Sequence, residues 1–293
     1  MNKFAQLKKQ SKTSVQELQA KLEELNKKNR SFDDPRYWKI TKDQLGNGQA
    51  IIRFLPAPDG DDLPFVKLIE YSFQNAETGL YYMENSPLTI GKPDPVQEYN
   101  APLWAADEKD EARKQRKKTS YISNIYVIKD PDHPENEGKV FLFKYGIKIY
   151  EKINSLSHPE FEGEEAINPF DLWEGANFRI KVKNVSGYPN YDASSFDKKS
   201  ALLADDSALE TVWNSEYSLK AEVAEDKFKS YDVLKEKLNK VLGRSTNSST
   251  PKSPKNAINE VLEKMEEVSD DLETSSTEDE DIENFFSKHK KKA

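Results

Sequence analysis

The chain has 293 residues, enough for one large or two small domains with a real core. Hydrophobic residues reach only 35% and charged residues 33%, so part of the chain is expected to stay unfolded; the lack of any Cys excludes disulfides, thiolate zinc sites and cysteine nucleophiles together, and fits a reducing cytosolic setting. The net charge of −8 hides opposite ends, with residues 1–30 at +5, residues 260–293 at −7 and the middle at −6, a layout that suggests two interaction arms.

Residues 1–13 read as a flexible basic arm without the apolar stretch of a secretory signal. Ser14-Val15-Gln16-Glu17 has capping-box spacing, and Val15, Leu18, Leu22 and Leu25 place one apolar stripe on a short helix that packs on its own domain. From Gln49 to Ser186 strands dominate. QAIIRFLP, PFVKLIEYSF, LYYME, TSYISNIYVIKD, KVFLFKYGIKIYEKI and NFRIKVKNVS are β-branched or aromatic runs bounded by turn formers such as Gly46-Asn47-Gly48 and Asn136-Glu137-Gly138. Pro87 to Lys114, with four prolines and the mixed-charge ADEKDEARK, reads as an irregular insertion.

A second helix is expected from about Asp226 to Leu242, with Phe228, Tyr231, Leu234, Leu238, Val241 and Leu242 on one side and Gly243 as its stop. RSTNSSTPKSPKN is a linker by composition, NAINEVLEKMEEV has helical character, and SDDLETSSTEDEDIENFF reads as an acidic disordered tail closed by SKHKKKA. Strands without alternating helices predict a mainly β fold with peripheral helices, an antiparallel sheet or barrel. No segment approaches the roughly 20 apolar residues that span a bilayer, so the chain reads as soluble with no membrane partner.

Catalytic patterns are absent. His133, His158 and His289 stand alone, no nucleophile-elbow, zinc-protease or phosphate-loop spacing occurs, and the many carboxylates read as a solvated face. A metal-dependent nuclease has no residues singled out for it. Binding is better supported, because basic and aromatic residues interleave: Arg53-Phe54, Lys118 then Tyr121, Phe143-Lys144-Tyr145, Lys148 then Tyr150, and Lys181 and Lys183 then Tyr188 and Tyr191. Single-stranded nucleic acid suits this mixture, since cations neutralise phosphates and exposed rings stack on unpaired bases. On an alternating strand any one ring is as readily core as platform. Two other classes stay open, an RNA-binding protein and an acidic adaptor that binds only proteins.

GNGQAIIRFLP at 46–56, RKKTSY at 116–121, YVIKDP at 126–131, ENEGKVF at 135–141, WEGANFRIKVKNVSGYPNYDASSF at 173–196 and DKFKSYDVL at 226–234 resemble, in order, the replicative single-stranded DNA-binding proteins of T-even-like bacteriophages. The resemblance implies an oligonucleotide-binding (OB-fold) barrel core at 31–243 with an inserted subdomain at about 71–114. It implies a basic arm at 1–30 for cooperative self-association, with Lys8, Lys9, Ser11, Lys12 and Thr13 as its basic and hydroxyl cluster. A linker and acidic tail at 244–293, with Asp279, Glu280, Asp281, Phe285 and Phe286, would recruit phage replication and recombination proteins in the cytoplasm of the infected bacterial host. Without DNA the tail would sit over the basic groove, and DNA would displace it.

The implied single-stranded DNA contacts are Arg53, Arg116, Lys117, Lys118, Tyr121, Phe143, Tyr145, Lys148, Tyr150, Lys181, Lys183, Tyr188 and Tyr191. Well-known family members hold a structural zinc with three cysteines and a histidine in the section matching about 71–98. Here Tyr71 stands at the histidine position and no Cys exists, so no zinc or other cofactor is expected, and packing through Tyr81, Tyr82, Leu88 and Trp104 is expected in its place. Ile122 follows Tyr121 where the family can have a tryptophan, which removes one stacking platform.

Overall fold

The computed structural model describes residues 34–106, 109–161 and 163–244. The arm residues Lys8, Lys9, Ser11, Lys12 and Thr13 and the tail residues Asp279, Glu280, Asp281, Phe285 and Phe286 lie outside the described residues.

Among the described residues eight strands pair antiparallel into a curled, half-barrel sheet: β1 (Gly48–Phe54), β2 (Val66–Gln74), β3 (Tyr81–Asn85), β4 (Lys117–Lys129), β5 (Val140–Gly146), β6 (Ala176–Val185), β7 (Tyr188–Asn190) and β8 (Ser195–Lys199). The hub is β4. It pairs with β5 along one edge and with β2 and then β1 along the other, while β1 continues through β6 to β7 and β8. Among the described residues five α-helices lie around the sheet: α1 (Pro95–Ala105), α2 (Lys109–Lys114), α3 (Ile147–Ser157), α4 (Asp206–Asn214) and α5 (Tyr231–Val241).

Side chains alternate across a strand, and in a curled sheet one of the two faces lines the hollow. The aromatic surplus fills that hollow. Phe54 of β1 is the centre, with Tyr145 at 5.5 Å, Phe178 and Phe170 at 5.8 Å, and Phe196 and Phe143 just beyond 6 Å. Trp38 meets Phe143 edge-on at 5.3 Å, and Tyr121 stacks on Tyr150 at 4.1 Å. The Tyr145 hydroxyl is satisfied by Ser123 at 3.0 Å. Such pairs add about 0.5–1.5 kcal/mol each beyond their buried area.

Three smaller clusters fix the periphery. Leu209 and Val212 of α4 pack with Leu55 and Leu172. Leu219 joins Leu68, Ile122 and Leu142, with Tyr37, Tyr217 and Phe228 against them. The third cluster holds the end of the sheet formed by β2 and β3, where Tyr71, Phe73, Tyr82 and Val96 meet Leu234, Leu238 and Val241 of α5. In that lobe Tyr82 and Leu88 pack as expected, but Tyr81 and Trp104 are exposed, because Tyr81 falls on the strand face turned away from α5.

The stretch after β3 also differs from the sequence reading. Pro87 to Lys114 is not irregular but forms a 3-10 turn and two helices. Asp94 caps α1 by accepting from the backbone of Val96 and Gln97, and Pro95 occupies the first turn, where no donor is needed. The run KVFLFKYGIKIYEKI is not one strand. Gly146 ends β5, and Ile149, Tyr150 and Ile153 then bury one side of α3 at helical spacing. The helix expected at 226–242 begins at Tyr231, and Gly243, with φ 67°, ends it as expected.

Candidate nucleic-acid interface

A cleft of about 800 Å³ opens beside β5 and the start of α3. Lys144 and Lys148 come from β5 and α3, and Lys118 and Ser120 from the leading half of β4. The non-strand segment Tyr37-Trp38-Lys39 forms one wall, anchored by a bridge from Tyr37 to Leu142 and by a Trp38 N–H bond to the Leu142 carbonyl at 2.8 Å. Pro189 and Tyr191 of the β6–β7 ribbon and Lys227 before α5 complete it.

Charge in the cleft is strongly one-sided. Lys39, Lys118, Lys144, Lys148 and Lys227 line it against two carboxylates, Asp34 and Glu222. Both carboxylates are engaged by Arg36, whose guanidinium reaches Asp34 at 2.6 Å and Glu222 at 2.8 Å. That contact holds Asp34 below the usual carboxylate range. The Tyr37 hydroxyl donates to Glu222 at 2.7 Å, and burial together with that carboxylate raises its pKa. The clasp Asp34–Arg36–Glu222–Tyr37 therefore ties both acids of the cleft to one guanidinium, offsetting half of their charge, and fixes the ring of Tyr37 in its wall. Glu70 is handled similarly, between Lys144 Nζ at 2.6 Å and the Ser120 hydroxyl at 3.1 Å.

The predicted contacts divide into five groups. Lys118, Lys148 and Tyr191 line the cleft together, and burial raises the pKa of the Tyr191 hydroxyl. Arg116 and Lys117 are exposed beside Lys118 at the leading end of β4. Phe143 and Tyr145 reach the cleft only as its floor, 6% and 3% exposed, since their rings belong to the aromatic interior. Lys181, Lys183 and Tyr188 are exposed on the β6–β7 ribbon, and by register they share the face opposite Pro189, away from the cleft.

Arg53, Tyr121 and Tyr150 require correction as surface contacts. Tyr121 is 1% exposed and stacked on Tyr150, which sits on α3 rather than on a strand, and both face the hollow of the sheet. Arg53 is 0% exposed. Its guanidinium donates to Asn177 Oδ1 at 2.9 Å, to the Ser200 carbonyl at 2.7 Å and to the Asp171 carbonyl at 3.2 Å, and burial lowers its pKa to about 10. Gly175 makes this seat possible, since a Cβ there would lie 2.5 Å from Arg53 Nη1 and 2.2 Å from the Asp171 carbonyl. A cation whose donors are held by protein carbonyls is a structural strut.

Sequence reasoning missed Tyr37, Trp38, Lys39 and Lys227, and noted Lys144 only as part of an interleaved run. The signal was present in PRYWK at 35–39, where two rings lie between two cations, but it falls outside the strand pattern.

A family model described as gp32 DNA binding protein like matches residues 46–242. The chain belongs to this family. It is 41% identical over 239 residues to a single-stranded DNA-binding protein of Enterobacteria phage T2, covering 78% of each chain, and 41% identical over 238 residues to that of Enterobacteria phage T4, again 78% of each. A third relative, the single-stranded DNA-binding protein of Enterobacteria phage RB70, is 39% identical over 114 residues, 37% of this chain and 95% of that one. The family match begins at the turn before β1 and ends at Leu242, just past α5, so the wall formed by Tyr37, Trp38 and Lys39 precedes it.

The structural zinc of well-known family members does not fit the residues present here. Tyr71 is a phenol buried among Phe73, Tyr82 and α5, its pKa raised by burial. Asp94, the nearby carboxylate, has both oxygens in use, accepting the Ser86 hydroxyl at 2.7 Å and the backbone N–H of Val96 at 2.8 Å. Among the described residues no group of three or more His, Cys, Asp or Glu is placed to hold a metal ion, and no helix is long and apolar enough to cross a membrane.

Proposed function

We propose that this chain binds single-stranded DNA in the cleft, without sequence preference, as a binding protein rather than an enzyme of phage DNA replication, recombination and repair. The observation that carries the reading is the meeting of five lysines with the rings of Tyr37 and Tyr191 in one cleft whose two acids are held by Arg36. Lys39, Lys118, Lys144, Lys148 and Lys227 take phosphates, and the two tyrosines offer faces to unpaired bases. Stacking is worth roughly 1–3 kcal/mol per base and accepts any base, so protection of a strand needs no base-edge readers. The names of the relatives, single-stranded DNA-binding proteins of phages, support the same ligand.

The finer parts of the reading rest on the family resemblance and on charge. The half-barrel is an OB-fold core, with the β2–β3 lobe and its helices as an inserted subdomain held by packing instead of zinc. The basic arm links neighbouring protomers cooperatively along DNA. The acidic tail recruits replication and recombination proteins, in the cytoplasm of the infected host.

The test is quenching of intrinsic Tyr/Trp fluorescence by poly(dT), titrated back with NaCl, beside duplex DNA and poly(U). Strong quenching by the single strand, reversed by salt and nearly absent with duplex, is expected. Lys118→Ala should reduce the log–log salt slope by about 0.7, the value of one single-strand phosphate contact. A flat salt response, or quenching unchanged across lysine variants of the cleft, would overturn the cleft as the strand site, and no quenching at low salt would leave the acidic-adaptor reading instead. Preference for poly(U) would mark RNA as the ligand.

A further inference from the structure

The β2–β3 hairpin has two unlike faces. Tyr71, Phe73 and Tyr82 alternate toward α5 and are buried, while Ser72, Gln74, Tyr81 and Met83 alternate away from it and are exposed. Tyr81 and Met83 are each 61% exposed, and Leu80 beside them is exposed as well. This ring and thioether stand on β3, the last strand at its end of the sheet. Edge strands are ordinarily shielded by charge, proline or a covering element. Here the outward residues of β3 are Tyr81, Met83 and Asn85, and Glu84 points to the other face, where Lys229 and Lys237 pair with it.

Register shows where this face leads. Tyr81 lies opposite Gln74, Met83 opposite Ser72, and Asn85 opposite Glu70, which in turn lies opposite Lys118. Asn85 and Lys118 line the cleft. The sheet surface that forms one end of the cleft therefore continues without a break to Met83 and Tyr81, about 13 Å further along β3 at strand spacing. Arg116, exposed, stands just before β4 at the near end of that path, whereas Lys117 lies opposite Tyr71 and so belongs to the face toward α5.

We propose that the outer face of the β2–β3 hairpin extends the strand-binding surface, so that single-stranded DNA leaving the cleft past Lys118 runs along β3 with a base stacked on Tyr81 and Met83 packed beside it. The proposal rests on the reading of the cleft as the strand site. Continuity with the cleft and the cations Lys118 and Arg116 at its near end favour a nucleic-acid strand as the occupant; the floor of Ser72 and Gln74 is uncharged, and Glu70, the carboxylate of β2 on this face, is paired with Lys144. The site would raise affinity only for strands long enough to reach it.

The full chain, a Tyr81→Ala/Met83→Ala variant and a Tyr81→Trp variant can be titrated with oligo(dT) from about 4 to about 16 nucleotides, the range covered by single OB folds. The double variant should match wild type on the shortest strands and fall at least about fivefold behind on the longest. Tyr81→Trp should add fluorescence that long strands quench and short ones do not. If wild type binds while the double variant tracks it at every length and the added fluorescence is unchanged at saturation, the extension is overturned and the cleft reading stands. If wild type binds no length at low salt, both fall. A change in sedimentation of the free protein with DNA affinity unchanged would assign the face to protein contact and overturn the proposal.

Discussion

Strand β5 and the β6–β7 ribbon carry the same kind of sequence, VFLFKYG in one and KVKNVSGYPNY in the other, rings interleaved with lysines. The structure treats them oppositely. In β5 the rings of Phe143 and Tyr145 turn into the hollow of the sheet against Phe54, and Lys144 is the side chain that faces out. In the ribbon Tyr188 is 76% exposed, and Tyr191 is half-buried in the cleft wall. A Ser186-Gly187 turn with both φ positive, 53° and 86°, carries the ribbon past the body of the sheet, where only β6 pairs with β7. Alternation sorts residues into two faces in both strands, but what covers each face decides whether a ring is core or platform.

The sharpest way to break this comparison is to remove a ring from each side. Tyr145→Ala should cost about 3–5 kcal/mol of stability, the usual effect of deleting a core aromatic. Tyr191→Ala should leave the denaturation midpoint nearly unchanged and lose roughly 1–3 kcal/mol of affinity for oligo(dT). A reversal of these two patterns in chemical denaturation and DNA titration would invert the assignment of core and platform.

The same contrast holds for charge. Arg53→Ala should destabilise the fold by about 3 kcal/mol, because it leaves Asn177 and the carbonyls of Asp171 and Ser200 without their donor, and should leave the salt slope of DNA binding unchanged. An unchanged midpoint with a smaller salt slope would make Arg53 a phosphate contact after all.

A buried carboxyl adds a dependence on pH. Neither oxygen of Glu216 has a hydrogen-bond partner among the described residues, and the amide of nearby Asn124 is taken by the backbone of Tyr217. Burial pushes the Glu216 carboxyl up to about 9 from an ordinary value of 4.5. The folded form keeps a proton that the unfolded chain releases, so this contribution is full below about pH 4.5 and is lost as pH rises toward 9. The slope approaches about 1.4 kcal/mol per pH unit, and Glu216→Gln should flatten it in denaturation midpoints measured across that range. Parallel pH profiles for the two proteins would contradict it.

Much of the fold was legible in the sequence, since β-branched runs between Gly, Pro and Asn gave the strands, and Gly243 gave the end of α5. Helix α3 was not, because Ile-Lys-Ile-Tyr alternates like a strand and only the break at Gly146 separates it from β5. Helix α1 was hidden by its prolines, although Asp94-Pro95 is itself a start signal. In the cleft, Lys118, Lys148 and Tyr191 were legible from basic-aromatic interleaving. Tyr37, Trp38 and Lys39 were not, because the contact that brings their segment to the cleft joins Arg36 to Glu222, 186 residues away. Arg53 was misread because its place in a strand beside Phe54 says nothing of the loop around Gly175 that covers it.

The central claim is that the strand lies in the cleft against Tyr37 and Tyr191, with the stacked tyrosines of the hollow out of reach. Photo-cross-linking of saturating oligo(dT) to the full chain, followed by mapping of the modified peptides, tests it most directly. Adducts at Tyr37 and Tyr191, suppressed by high salt and absent at Tyr121 and Tyr150, are the predicted result. Adducts at Tyr121 or Tyr150 with none in the 34–39 segment or at Tyr191 would contradict it.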